Sequence, residues 1–144
     1  MSNRPTIDVS ARCACGRVQM AVAGRVASML LCSCVDCQRA TGTGHSTVVL
    51  VPADIMTIDG ITKSFTRPCD SGATFTHHFC PECGTPLHGQ SSRAPDIRMI
   101  PAGFFAGQNA WFDANQLIFA RSQQEWDLIA DHLPRHQKYR ESAP

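Results

Sequence analysis

Seven of the eight cysteines in this 144-residue chain fall into three tight groups, and that grouping restricts the fold more than any other feature. Cys13-Ala14-Cys15-Gly16 and Cys80-Pro81-Glu82-Cys83-Gly84 are both cysteine pairs closed by a glycine. Each reads as the tip of a turn between strands. Such turns wrap backbone N–H groups toward the sulfurs, and the glycine permits the backbone conformation that follows. Zinc takes four tetrahedral ligands, with sulfur at about 2.3 Å. One pair cannot saturate it, but two pairs can. Cys13, Cys15, Cys80 and Cys83 therefore form a natural four-sulfur structural site. Joining them would clamp the start of the chain to its middle, closing a long loop at modest extra entropy.

The third group, Cys32-Ser33-Cys34-Val35-Asp36-Cys37, is one ligand short of a closed site. Three protein ligands with an open fourth position is the arrangement of a catalytic zinc. The bound cation stabilises thiolates, so a substrate thiol in the open position would become a nucleophile. With three thiolates already bound, the metal is a weak Lewis acid, suited to delivering a thiol rather than polarising a carbonyl. The alternative is a site closed by a fourth protein ligand, drawn from Cys69, His45, His77, His78 or His88. Spacing does not choose between open and closed. His77 and His78 are adjacent in an expected strand, so they face opposite ways and at most one can point at a given site. Cys69, in Arg67-Pro68-Cys69-Asp70, sits in a turn-like segment and reads as a buried thiol, a fourth ligand or a reactive thiol.

Disulfides explain the groups poorly, because cysteines one residue apart rarely reach bridge geometry. The N-terminal stretch MSNRPTIDVSARC has no apolar signal region, so the expected setting is the reducing cytoplasm, where clustered thiols point to metal or catalysis. No apolar run approaches the roughly 18–20 residues that cross a bilayer, so no membrane partner is expected. The formal net charge of +1 and sequence pI of about 7.6 show none of the basic excess of nucleic-acid domains, and no aromatic-interleaved basic patch offers a stacking platform.

The rest of the pattern predicts one mainly β domain over 1–144. Val18 to Val22 alternates, Met29 to Cys32 is a short apolar run, and Ser46 to Val51 is rich in β-branched residues. Met56 to Ile58 and Thr62 to Thr66 flank Asp59-Gly60, a hairpin signal. Ala73 to Phe79, Ile97 to Ile100 and Gln116 to Ala120 read as further strands. One helix is expected late, over Gln123 to Leu133, where Trp126, Ile129, Ala130 and Leu133 make an apolar stripe. Ser122 and Glu125 complete a capping box, and Pro134 marks the end.

CACGRV at 13–18, CSCVDCQRATG at 32–42, FCPECGTPL at 79–87 and WDLIADHLP at 126–134 together resemble the glutathione-dependent formaldehyde-activating enzyme family, the GFA or CENP-V/GFA domain. The resemblance implies an Mss4-like fold, small antiparallel sheets around zinc with a short C-terminal helix. It implies a structural zinc on Cys13, Cys15, Cys80 and Cys83, and a second, catalytic-type zinc on Cys32, Cys34 and Cys37 whose open position a thiol approaches. The family's reaction joins glutathione to formaldehyde, and is classed as a carbon–sulfur lyase in reverse. Arg39, just after the cluster, is a candidate for pairing with a substrate carboxylate. Many members carry histidine where this chain has Ser33, which removes a possible proton carrier, and the added thiol of Cys69 would be able to close the metal. The competing reading is a zinc-stabilised binding or chaperone-like module without chemistry.

Overall fold

The alternation at Val18 to Val22 becomes the middle of a three-stranded antiparallel sheet. The computed structural model describes residues 4–140. In it β1 (Thr6–Arg12), β2 (Gln19–Arg25) and β5 (Met56–Asp59) form that sheet in the order β1-β2-β5. A larger, seven-stranded sheet takes β3 (Ser28–Cys32), β4 (Ser46–Pro52), β6 (Lys63–Pro68), β7 (Thr74–Phe79), β8 (Pro86–Ser91), β9 (Ile97–Pro101) and β10 (Leu117–Ile118), in the order β10-β3-β4-β9-β8-β7-β6. All its pairings are antiparallel except β10 with β3. The α-helix among the described residues is α1 (Val35–Thr41), between β3 and β4.

Ile7 and Val9 of β1 and Met20 and Val22 of β2 alternate inward from the small sheet. They pack with Met29, Val49, Val51 and Ile100 of the large sheet, all of them buried. The opposite face of those same large-sheet strands is apolar as well. Leu30, Val48, Leu50 and Met99 point there and stay only half-buried.

The large sheet is curled. Laid flat, six spacings of about 4.8 Å would hold β10 and β6 some 29 Å apart. Yet Arg121, just after β10, donates to the carboxylate of Asp70, just after β6, at 2.6 Å. Arg67 of β6 pairs with Asp36 of α1 at 3.1 Å. The two ends of the sheet therefore meet beside α1.

Two expectations need correction. The stretch Gln123 to Leu133 is not a helix. Ile129 and Leu133 of its stripe are buried against Leu31 and Leu117, but Trp126 stays 67% and Leu128 92% exposed. The backbone bonds of a helix are replaced. Arg135 donates to the carbonyls of Ile129, Ala130, Asp131 and Leu133, and Leu117 exchanges backbone bonds with Pro134 and His136. Tertiary pairing with β10 outweighs local propensity here. Second, Asp59-Gly60 does not close a hairpin, because β5 and β6 belong to different sheets. Beyond these, β1, β8 and α1 carried no sequence expectation. Pro86-Leu87-His88-Gly89-Gln90-Ser91 lacks the β-branched enrichment that marks a strand.

Gly60 shows what the crossing between sheets requires. Its φ is +124°, and a Cβ there would lie 2.5 Å from the Arg17 carbonyl oxygen. Gly60→Ala is expected to lower the unfolding free energy by about 1–3 kcal/mol in urea titration. An unchanged midpoint would show that the crossing relaxes freely.

Candidate metal centres

The turn after β1 and the turn between β7 and β8 are built alike. Gly16 donates its N–H to the Cys13 carbonyl at 2.9 Å, and Gly84 donates to the Cys80 carbonyl at 2.8 Å. Both glycines hold positive φ, +81° and +75°. Val18 N–H donates to Cys13 Sγ at 3.3 Å. Thr85 links the turns, accepting from Ala14 N–H at 3.1 Å while its hydroxyl lies 3.1 Å from Cys83 Sγ. The sulfurs of Cys13 and Cys15 are 3.6 Å apart, as are those of Cys15 and Cys80. All four of Cys13, Cys15, Cys80 and Cys83 lie within 4.8 Å of one another. Metal–sulfur bonds of about 2.3 Å give a tetrahedron with edges near 3.8 Å, so the group fits a metal ion closely. Hydrogen bonds from the Thr85 side chain and backbone pull the Cys83 thiol down to about 5, favouring the thiolate a metal needs.

The second group forms where β3 ends and α1 begins. Cys32 closes the strand and Cys34 caps the helix, its Sγ accepting the Cys37 N–H at 3.2 Å. One helical turn then brings Cys37 back toward Cys34. Gln38 holds this junction to the tail, donating to the carbonyls of Ser33 at 2.8 Å and Ser122 at 3.0 Å. The three sulfurs lie within 4.8 Å of one another and could hold a metal ion. Hydrogen bonds from Cys32 and then Cys37 draw the Cys34 thiol down to about 2, helped by the charge of Arg67. The same hydrogen bonds, with burial, push Cys32 up. Three sulfurs this close form a donor set that a cation would complete.

Among the described residues no further histidine, cysteine or carboxylate joins this trio. Cys69 stands outside it; its sulfur accepts from Arg67 at 3.8 Å instead. His45 Nδ1 meets Asp127 Oδ2 at 2.7 Å, a contact that needs Gly44, where a Cβ would clash with that carboxylate. His77 and His78 do face opposite ways: His77 sits edge-on to Phe65, and His78 stacks on His88 at 4.3 Å. Ser33 is fully buried, and among the described residues its hydroxyl has no partner. Arg39 is exposed in the last turn of α1, where it suits the helix dipole. The cation beside the trio is Arg67, which sequence reading passed over. It lies 30 residues beyond Cys37 in the chain, and only the curl of the sheet brings it back.

A family model described as glutathione-dependent formaldehyde-activating enzyme matches residues 8–122, which contain all seven clustered cysteines. A crystal structure of a Rhodobacter sphaeroides protein is similar in fold, with a TM-score of 0.54 and 20% identity, covering 71% of this chain and 92% of that one.

The two groups should separate on mutation. Cys34→Ser is expected to lose one metal per chain by elemental analysis while keeping its melting temperature within a few degrees. Cys80→Ser, which breaks the joint between two turns, should lose the other metal and melt more than about 10 °C lower. Equal melting temperatures would show that the four-sulfur group carries no structural role.

Proposed function

Because the chain belongs to the glutathione-dependent formaldehyde-activating enzyme family, we propose that it adds a thiol of the glutathione type to a small aldehyde such as formaldehyde, or runs that reaction in reverse as a carbon–sulfur lyase. The observation that carries this reading is the unequal ligand count: four sulfurs in one group, three in the other, with no neighbour joining the three. On this reading Cys13, Cys15, Cys80 and Cys83 hold a structural zinc, and Cys32, Cys34 and Cys37 hold a second one with a position open to substrate. When bound there, zinc lowers the pKa of an incoming thiol so that it reacts as thiolate at neutral pH.

The chain's own groups supply the rest. The Cys34 cap and the Gln38 bonds keep the trio in place before substrate arrives. Arg67, 23% exposed and near Cys34, balances negative charge in the trio. In the overall addition a carbon–sulfur bond forms, the carbonyl π pair moves to oxygen, and the thiol proton ends on that oxygen. Among the described residues no helix is long and apolar enough to cross a membrane. We place the protein in the cytoplasm, where thiols stay reduced.

Zinc-loaded protein with glutathione and formaldehyde should form adduct faster than the protein-free mixture, followed by NMR. Cys34→Ser should lower that enhancement at least tenfold. The enhancement should also fall in acid, as protons compete with metal for the three thiolates. A rate equal to the protein-free control, without glutathione binding, would leave the non-catalytic binding module as the function.

A further inference from the structure

Antiparallel sheets with one covered face normally alternate apolar inward and polar outward. Strands β3, β4 and β9 of the large sheet break that rule. Its covered face carries Met29, Val49, Val51 and Ile100, all at most 1% exposed. Its other face carries the row Leu50–Met99–Gly89–His77–Phe65, read straight across five strands by their pairing. Phe65 is 58% exposed, and Leu50, Met99 and His77 are only half-buried. Phe75 lies on the same face, its ring seated over Gly89, where a Cβ would clash with it. Burial, with the charge of Arg67, holds His77 below its ordinary value, so the ring is neutral at pH 7 and adds no charge to this surface.

This face is continuous with the three-sulfur centre. Cys32 lies opposite Ser46 on it, two positions from Leu30 and Val48. From the far end, Arg67 lies opposite Phe75, with its guanidinium 5.0 Å above that ring, and pairs with Asp36 on the helix that carries Cys34 and Cys37. Helix α1 therefore touches this face at both ends, so the face is the inside of the curl. A flat partner surface does not enter such a hollow, whereas a small apolar molecule does. A one-carbon aldehyde has no use for it.

We propose that this concave face seats the substituent of the aldehyde, and that the chain favours medium-length aliphatic aldehydes over formaldehyde. The proposal rests on the thiol-addition reading and names its substrate class. The step balances as before: the glutathione sulfur bonds to the aldehyde carbon, the carbonyl π pair moves to oxygen, and the thiol proton ends there, giving a hemithioacetal without oxidant or reductant.

The test compares formaldehyde, propanal and hexanal with zinc-loaded full-length protein and glutathione, each expressed as enhancement over its own protein-free rate. The enhancement is expected to rise by roughly threefold to fourfold per methylene seated on the face. Phe75→Ala should lower the hexanal enhancement about tenfold relative to that for formaldehyde. Leu50→Gln, at a half-buried site, should act in the same direction without emptying the ring's place over Gly89. In a second measurement, unreactive hexan-1-ol should shift the NMR signals of Leu50, Met99, Phe75 and His77. Enhancement of formaldehyde but not hexanal overturns this proposal and leaves thiol addition standing. No enhancement with any aldehyde overturns both. Hexan-1-ol shifts that avoid these residues overturn the seat itself.

Discussion

The joint between the two sheets depends on sulfur. Cys13 directly follows β1 of the small sheet and Cys80 directly follows β7 of the large one, and both are buried in the common core. Cys15 and Cys80, 65 positions apart in the chain, are brought together so that their sulfurs lie 3.6 Å apart. Hydrophobic contact alone would not select that approach, since four thiols close together repel as they ionise. A metal reverses the sign: each added thiolate then strengthens the group. The glycine-closed turns and Thr85 orient the sulfurs before any cation arrives, which lowers the entropy lost on closure.

With that joint made, the remaining strands of the large sheet have one side covered and one side free. Their response is the curl, held by Arg121 on Asp70 and Arg67 on Asp36. Exposed ion pairs are individually weak. Here they connect parts of one sheet that strand pairing alone would leave far apart, so their value is geometric. They bring the far edge of the sheet back to the helix that carries two of the three grouped cysteines. The tail closes the same region from outside, through Gln38 on Ser122 and His45 on Asp127.

The sulfur groups were legible because their information is local. C-x-C-G, C-x-x-C-G and C-x-C-x-x-C place sulfurs on one turn whatever the rest of the chain does. Eight strand positions were legible for the same reason, from β-branched runs, short apolar runs and period-two alternation. The late helix was misread because Trp126, Ile129, Ala130 and Leu133 do repeat at helical intervals. Two of them are buried, but backbone pairing with β10 and the Arg135 guanidinium satisfied the carbonyls that a helix would have satisfied itself. Asp59-Gly60 was misread because a turn residue tells that the chain bends, not which sheet the next strand joins.

By itself the sequence determined a mainly β chain, two sulfur groups of unequal size, and the chemistry such groups allow. Those follow from residue type and short spacing, which the unfolded chain already contains. Only the tertiary structure decided that Cys69 and the histidines stay out of the trio, that Arg67 rather than Arg39 stands beside it, and that an apolar sheet face runs up to it. Each of these depends on which distant strands lie side by side, and strand order in a curled sheet is set by packing summed over the whole chain.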